Sequence, residues 1–160
     1  MDYLGIYLRD QLALGVLWRE LARRAARSNR DGELGEALDE VADAISQDVE
    51  TFRSIMRRLD VREDPVKTML AAAAERLGRL KLNGQLTGYS PLSRFDELEG
   101  LVMGIEGKKV LWTTLRDLAD LGQRLPDVDF DELIARAGRQ RDRLEPFRVS
   151  VGTEVFSRAT

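Results

Sequence analysis

The sequence has no cysteine and no histidine, and only four prolines in 160 residues. Without cysteine there is no disulfide framework, no thiol nucleophile, no iron–sulfur ligation and no cysteine-type zinc site. Without histidine the commonest general base and the commonest metal ligand are missing, and most hydrolase, metalloprotease and haem chemistries go with them. The remaining nucleophiles and bases, Ser, Lys, Tyr and the carboxylates, do not cluster at a telling spacing, so the chain reads as non-enzymatic and no cofactor is expected. No apolar run is long enough to cross a bilayer. The segment Met1–Trp18 is rich in apolar residues but carries Arg9 and Asp10. It lacks a basic leader and a small-residue cleavage site, so it does not read as a signal peptide, and the expected location is the cytoplasm.

Charge of either sign is not in excess. The 25 basic and 28 acidic residues leave a net charge of −3, which argues against a dedicated nucleic-acid binder. Nearly all the basic residues are arginine, with lysine only at Lys67, Lys81, Lys108 and Lys109. A length of 160 residues suits one domain with a core large enough to need no cross-link.

What is present is helical punctuation. Turn signals are few: Asn29-Arg30-Asp31-Gly32, Asp64-Pro65, Asn83-Gly84 through Ser90-Pro91, and Leu125-Pro126-Asp127. Between them apolar residues recur at three- and four-residue spacings, which predicts helices and no strands. The first helix is expected from Asp2 to Ser28, apolar around most of its circumference. The second is expected from Glu33 to Leu59, with the cleanest stripe in the chain: Leu38, Ala42, Ile45, Val49, Phe52, Met56 and Leu59. That four–three alternation is the seam of a helix packed nearly antiparallel to its neighbours. Asp48 falls at the edge of the seam, as the polar residue most drawn toward the core. A third helix opens at Pro65 and stops near Asn83-Gly84. The fourth opens at Ser90-Pro91 and runs to about Leu121, or breaks early. The last opens at Asp129, with Glu132 as a capping-box partner, and runs to about Phe156, kinked or divided at Pro146.

Two long helical hairpins joined by a crossing helix make an all-α, up-down four-helix bundle. That layout resembles the ferritin-like superfamily. The resemblance implies a di-iron or di-manganese site, built from a Glu on each of two helices and a Glu-x-x-His on each of two others. Glu20 on the first helix and Glu99 and Glu106 on the fourth are the candidates here. The matching stretch of the second helix, Ala44 to Asp48, has no Glu-x-x-His, and neither does Arg136 to Arg143 in the last. The expectation is therefore an interaction or scaffold protein of ferritin-like architecture without a metal site. The alternative is an atypical all-carboxylate metal protein using Glu20, Asp48, Glu99 and Glu106. Asp48 and Glu106 read more simply as partners of arginines, many of them on the last helix.

Three further features carry expectations. Gly100, Gly104 and Gly107 share one helix face, which favours close approach of another helix over room for a ligand. Residues 76–94 hold Arg76, Arg79, Lys81 and Arg94 without one acid, a possible anion site beside a helix N-terminus or a set of cations relieving a helix dipole. Finally, a bundle uses only about 100° of each helix. The surplus apolar surface of the first helix, at Leu4, Leu8, Leu12, Leu14 and Trp18, therefore predicts a homodimer packed near that helix.

Overall fold

The computed structural model describes residues 1–81 and 88–157, without the side chains of residues 75–81. Six α-helices follow in order: α1 (Tyr3–Ser28), α2 (Gly32–Arg58), α3 (Pro65–Lys81), α4 (Pro91–Thr113), α5 (Leu121–Arg124) and α6 (Phe130–Ser157). Among the described residues there is no strand, and no helix is long and apolar enough to cross a membrane.

The helix starts follow their capping residues. The Asp2 carboxylate accepts from Gly5 N at 2.9 Å, so Asp2 caps α1 from outside it. Asp64 accepts from the backbone N–H groups of Val66 and Lys67, and Pro65 fills the first position, where no N–H is needed. Ser90 and Ser93 form a reciprocal capping box at α4. At α6 only half of the expected box forms. Asp129 accepts from Glu132 N at 2.9 Å, while the Glu132 carboxylate pairs with Arg139 instead. The stop of α2 is a motif the sequence pattern does not announce. Val61 N donates to Met56 O and Asp60 N to Arg57 O, with Asp60 itself left-handed at φ 58°. The stop expected at Asn83-Gly84 lies outside the described residues.

One expectation about helix length is corrected, and of the two outcomes expected at Pro146, a kink or a division, the division does not occur. The fourth helix does not reach Leu121. After Thr113 it widens into a π turn over Thr114–Leu118, and the chain reverses at Asp120, which is left-handed at φ 56°. A straight α-helix would put Leu121, nine residues past Trp112, on the opposite face. The turn lets Trp112, Leu115 and Leu121 all reach one core, where each is at most 1% exposed. Pro146 does not divide α6, which is continuous through it. The missing N–H removes one helical bond, to the Asp142 carbonyl, and the flanking turns persist.

The helices pack in two hairpins, α1 on α2 and α4 on α6, which meet where α1 faces α4 and α2 faces α6. Contacts fix the directions. Arg24 meets Glu97 while Trp18 meets Gly104, so α1 and α4 are antiparallel. Glu40 meets Arg143 while Asp48 meets Gln140, so α2 and α6 are too. The turn after α1 marks the upper end of the molecule. The chain leaves α2 at the lower end and must return to the upper end to begin α4. With 17 residues, α3 is about 25 Å long at 1.5 Å per residue and makes that return along α1. A Lys67–Asp10 ion pair helps hold it there.

That placement removes the argument for α1 as a dimer face. Leu8 and Leu12 are buried inside their own chain, at 0% and 1% exposure. Among the large apolar side chains of α1, only Tyr3, Ile6 and Leu14 are exposed.

The seam of α2 is buried as its spacing predicts, except for the half-buried Leu59. The core it enters has two parts. The upper part is rich in alanine (Ala22, Ala25, Ala26, Ala37, Ala42 and Ala137) and its buried members include no aromatic residue. The lower part contains Phe52, Trp112 and Phe130 among leucines, and its buried members include no alanine.

Candidate functional site

The junction of the two core parts holds a buried polar cluster. Asp48 on α2 is 4% exposed. Its Oδ2 accepts from Lys108 Nζ on α4 at 2.7 Å and from Gln140 Nε2 on α6 at 2.8 Å. Lys108 Nζ also donates to Gln140 Oε1, closing a three-membered ring of bonds. Arg136 on α6 reaches Asp48 Oδ1 at 3.3 Å, without hydrogen-bond geometry. Burial pushes the Lys108 ammonium below its ordinary pKa, and the Asp48 charge works against that shift. A carboxylate this deep requires a cation, since removing a lone charge from water costs several kcal/mol. Lysine, a compact charge on a flexible stem, supplies it.

Beside this cluster lies a cavity of about 180 Å³, open on one side between α1 and α4. Its walls are mostly apolar, with Phe52 and Val49 of α2 at the back and the mouth flanked by the exposed Leu14 and Met103. Gln11, Asp48 and Lys108 form its polar part. The glycines of α4 explain its shape. A Cβ on Gly104 would lie 2.6 Å from the Trp18 ring, so that glycine exists to receive the indole. A Cβ on Gly100 would make ordinary contact with Leu21 and Trp18. A Cβ on Gly107, an exposed position that borders the cavity, would meet nothing within 4 Å. The three glycines thus divide between the two readings of the sequence: close packing at Gly100 and Gly104, open space at Gly107.

The four carboxylates of the all-carboxylate alternative do not converge. Glu20 pairs with Arg19 and Arg23 on its own helix. Glu99 pairs with Arg148, and Glu106 with Lys109 and Arg141. Asp48 is held by Lys108. Among the described residues no group of three or more acidic side chains is placed to hold a metal ion. The principal partner of Asp48 is thus a lysine, with the expected arginine of α6 in a lesser role. Sequence reasoning missed Lys108 and Gln140. A usable signal was present, since Lys108 is one of four lysines in a chain that otherwise uses arginine, and it follows directly on Gly107.

The proposed anion set is only partly described, because the side chains of Arg76, Arg79 and Lys81 lie outside the description. Arg94 has a structural task at the upper end. Its Nε donates to Asn29 Oδ1 at 2.7 Å, and its guanidinium sits 5.6 Å from the Tyr89 ring centre. The Asn29 amide donates to Ala25 O and to the Tyr89 hydroxyl, which donates in turn to Glu97 at 3.3 Å. Glu97, 5% exposed, is paired with Arg24. Burial, the largest cause, raises the pKa of Tyr89. This network ties the start of α4 to the α1–α2 turn. Glu97 is a second buried acid that the sequence pattern did not single out.

Compared with protein-family models, with curated proteins and with solved structures, the chain matches none.

Proposed function

We propose that the chain is a non-enzymatic interaction or scaffold protein. In this reading the four long helices form a ferritin-like bundle without a metal site, and the chain self-associates as a homodimer. The observation that carries the reading is the outer face of α3. Val66, Met69 and Leu70 lie at helical neighbour spacing and are 61%, 67% and 64% exposed. Three large apolar side chains on one exposed stripe are the mark of an association surface. The occupant that fits a self-complementary apolar stripe is a second copy, related by a two-fold axis. The absence of a metal site in this reading is supported by the carboxylates, each of which is already matched by a Lys or Arg of the chain.

Sedimentation equilibrium at micromolar protein tests the reading. The expected mass is twice the 18.1 kDa of the chain. The Met69→Glu/Leu70→Glu double variant is expected to sediment as a monomer with an unchanged far-ultraviolet spectrum. A monomeric wild-type protein would overturn the homodimer. Stoichiometric iron or manganese in the purified protein would overturn the metal-free bundle.

A further inference from the structure

We propose that the cleft between α1 and α4 binds one small uncharged ring compound carrying a hydrogen-bond acceptor, an aryl ketone or a phenol in class, with its oxygen on Lys108. The size follows from the volume. The cavity is about 180 Å³, and an apolar cavity of roughly 150 Å³ accepts one benzene ring. One ring with one short substituent therefore fills it. The walls call for an apolar body. Trp18, Phe52, Leu111 and Trp112 present rings and branched chains, and the mouth stays open at Gly107, where a side chain would otherwise intrude.

The polar end selects the substituent. A lysine ammonium has three N–H donors. Lys108 donates to Asp48 Oδ2 and to Gln140 Oε1, which leaves one donor without an acceptor among the described residues. A second wall residue, Trp112, is 1% exposed, and its indole N–H is buried without an acceptor. A spare ammonium donor on a mostly apolar cavity favours a ligand that brings an oxygen.

Charge selects against ions. Asp48 already balances Lys108 at 2.7 Å. A ligand carboxylate would sit beside Asp48 and be repelled by it, and a ligand cation would be repelled by Lys108. Arg136 approaches Asp48 from α6 and does not line the cavity.

The test uses the full chain and three probes of similar size: acetophenone, isopropylbenzene and benzoate. Both tryptophans of the protein, Trp18 and Trp112, line the cleft, so intrinsic fluorescence reports on it, with calorimetry giving the stoichiometry. One equivalent of acetophenone is expected to bind about tenfold more tightly than isopropylbenzene, the worth of one hydrogen bond to a charged donor. Benzoate is expected to bind more weakly than acetophenone. Gly107→Leu, which fills the open wall, is expected to abolish the binding while the circular dichroism spectrum is retained. Equal binding of acetophenone and isopropylbenzene would overturn the role of Lys108. Tighter binding of benzoate would overturn the neutral ligand class. No binding of any probe at millimolar concentration, or undiminished binding to Gly107→Leu, would overturn the site.

Discussion

The upper and lower halves of the core are built from the same helices by opposite means. In the upper half six buried alanines face one another across α1, α2 and α6. Small side chains let helix axes approach toward the short end of the usual 8–10 Å range. In the lower half Phe52, Trp112 and Phe130 meet at tilted angles, with ring centres 6.0 and 6.4 Å apart. The cavity between α1 and α4 is lined by members of both halves and lies where one style of packing gives way to the other. Trp18 closes part of that space by seating on Gly104, and below it the cavity remains open. The Asp48–Lys108–Gln140 ring lies at the same level. The buried polar cluster and the cavity beside it thus both sit where side-chain size changes along the helix seams.

Substitutions that reverse the two styles test this contrast. The largest effect is expected in the lower half, where Phe52→Ala removes a ring and leaves a hole that tight neighbours cannot fill. Urea unfolding should show a loss of about 3–5 kcal/mol. In the upper half the destabilising change is the opposite one. Ala37, fully buried, replaced by leucine should cost about 1–3 kcal/mol by overpacking. The reverse order, with Ala37→Leu tolerated and Phe52→Ala mild, would mean that the halves are packed alike. The smallest and sharpest test compares two glycines three residues apart on α4. Gly104→Ala drives a methyl into the Trp18 ring and should lower the melting temperature. Gly107→Ala meets open space and should raise stability by up to about 1 kcal/mol through helix propensity. Equal responses would contradict the assignment of one glycine to packing and the other to the cavity.

Much of the fold was legible because helix seams and caps are local signals. The seam from Leu38 to Met56, the helix starts at Asp64-Pro65 and Ser90-Pro91, and the crossing role of the third helix all follow from residues close in sequence, whereas Asp2, expected as the first helical residue, lies outside the helix as its cap. The end of the fourth helix was not legible. No Gly or Pro lies between Lys108 and Leu121, Gly122 comes only after the reversal, and that reversal at Asp120 brings Leu121 back to the core. The covering of α1 was underestimated for a similar reason. Ala71 to Ala74 show how small the side chains of α3 are, but not how closely that helix lies along Leu8 and Leu12. At the candidate site, Asp48 was visible from the edge of its seam. Its partners were not, since Lys108 and Gln140 lie 60 and 92 residues away and no local pattern pairs them. Glu97 escaped for the same reason, with its partner Arg24 on another helix.

The central claim is that the chain's own lysine balances the carboxylate at the junction of the two core halves. A double-mutant cycle on Asp48 and Lys108, followed by urea denaturation, tests it most directly. Lys108→Met alone leaves Asp48 buried without its principal cation and should cost about 3–5 kcal/mol. Adding Asp48→Leu removes the stranded charge, so the double variant should recover most of that loss, with a coupling of about 3 kcal/mol or more. Additive losses, with the double variant less stable than either single one, would contradict the claim.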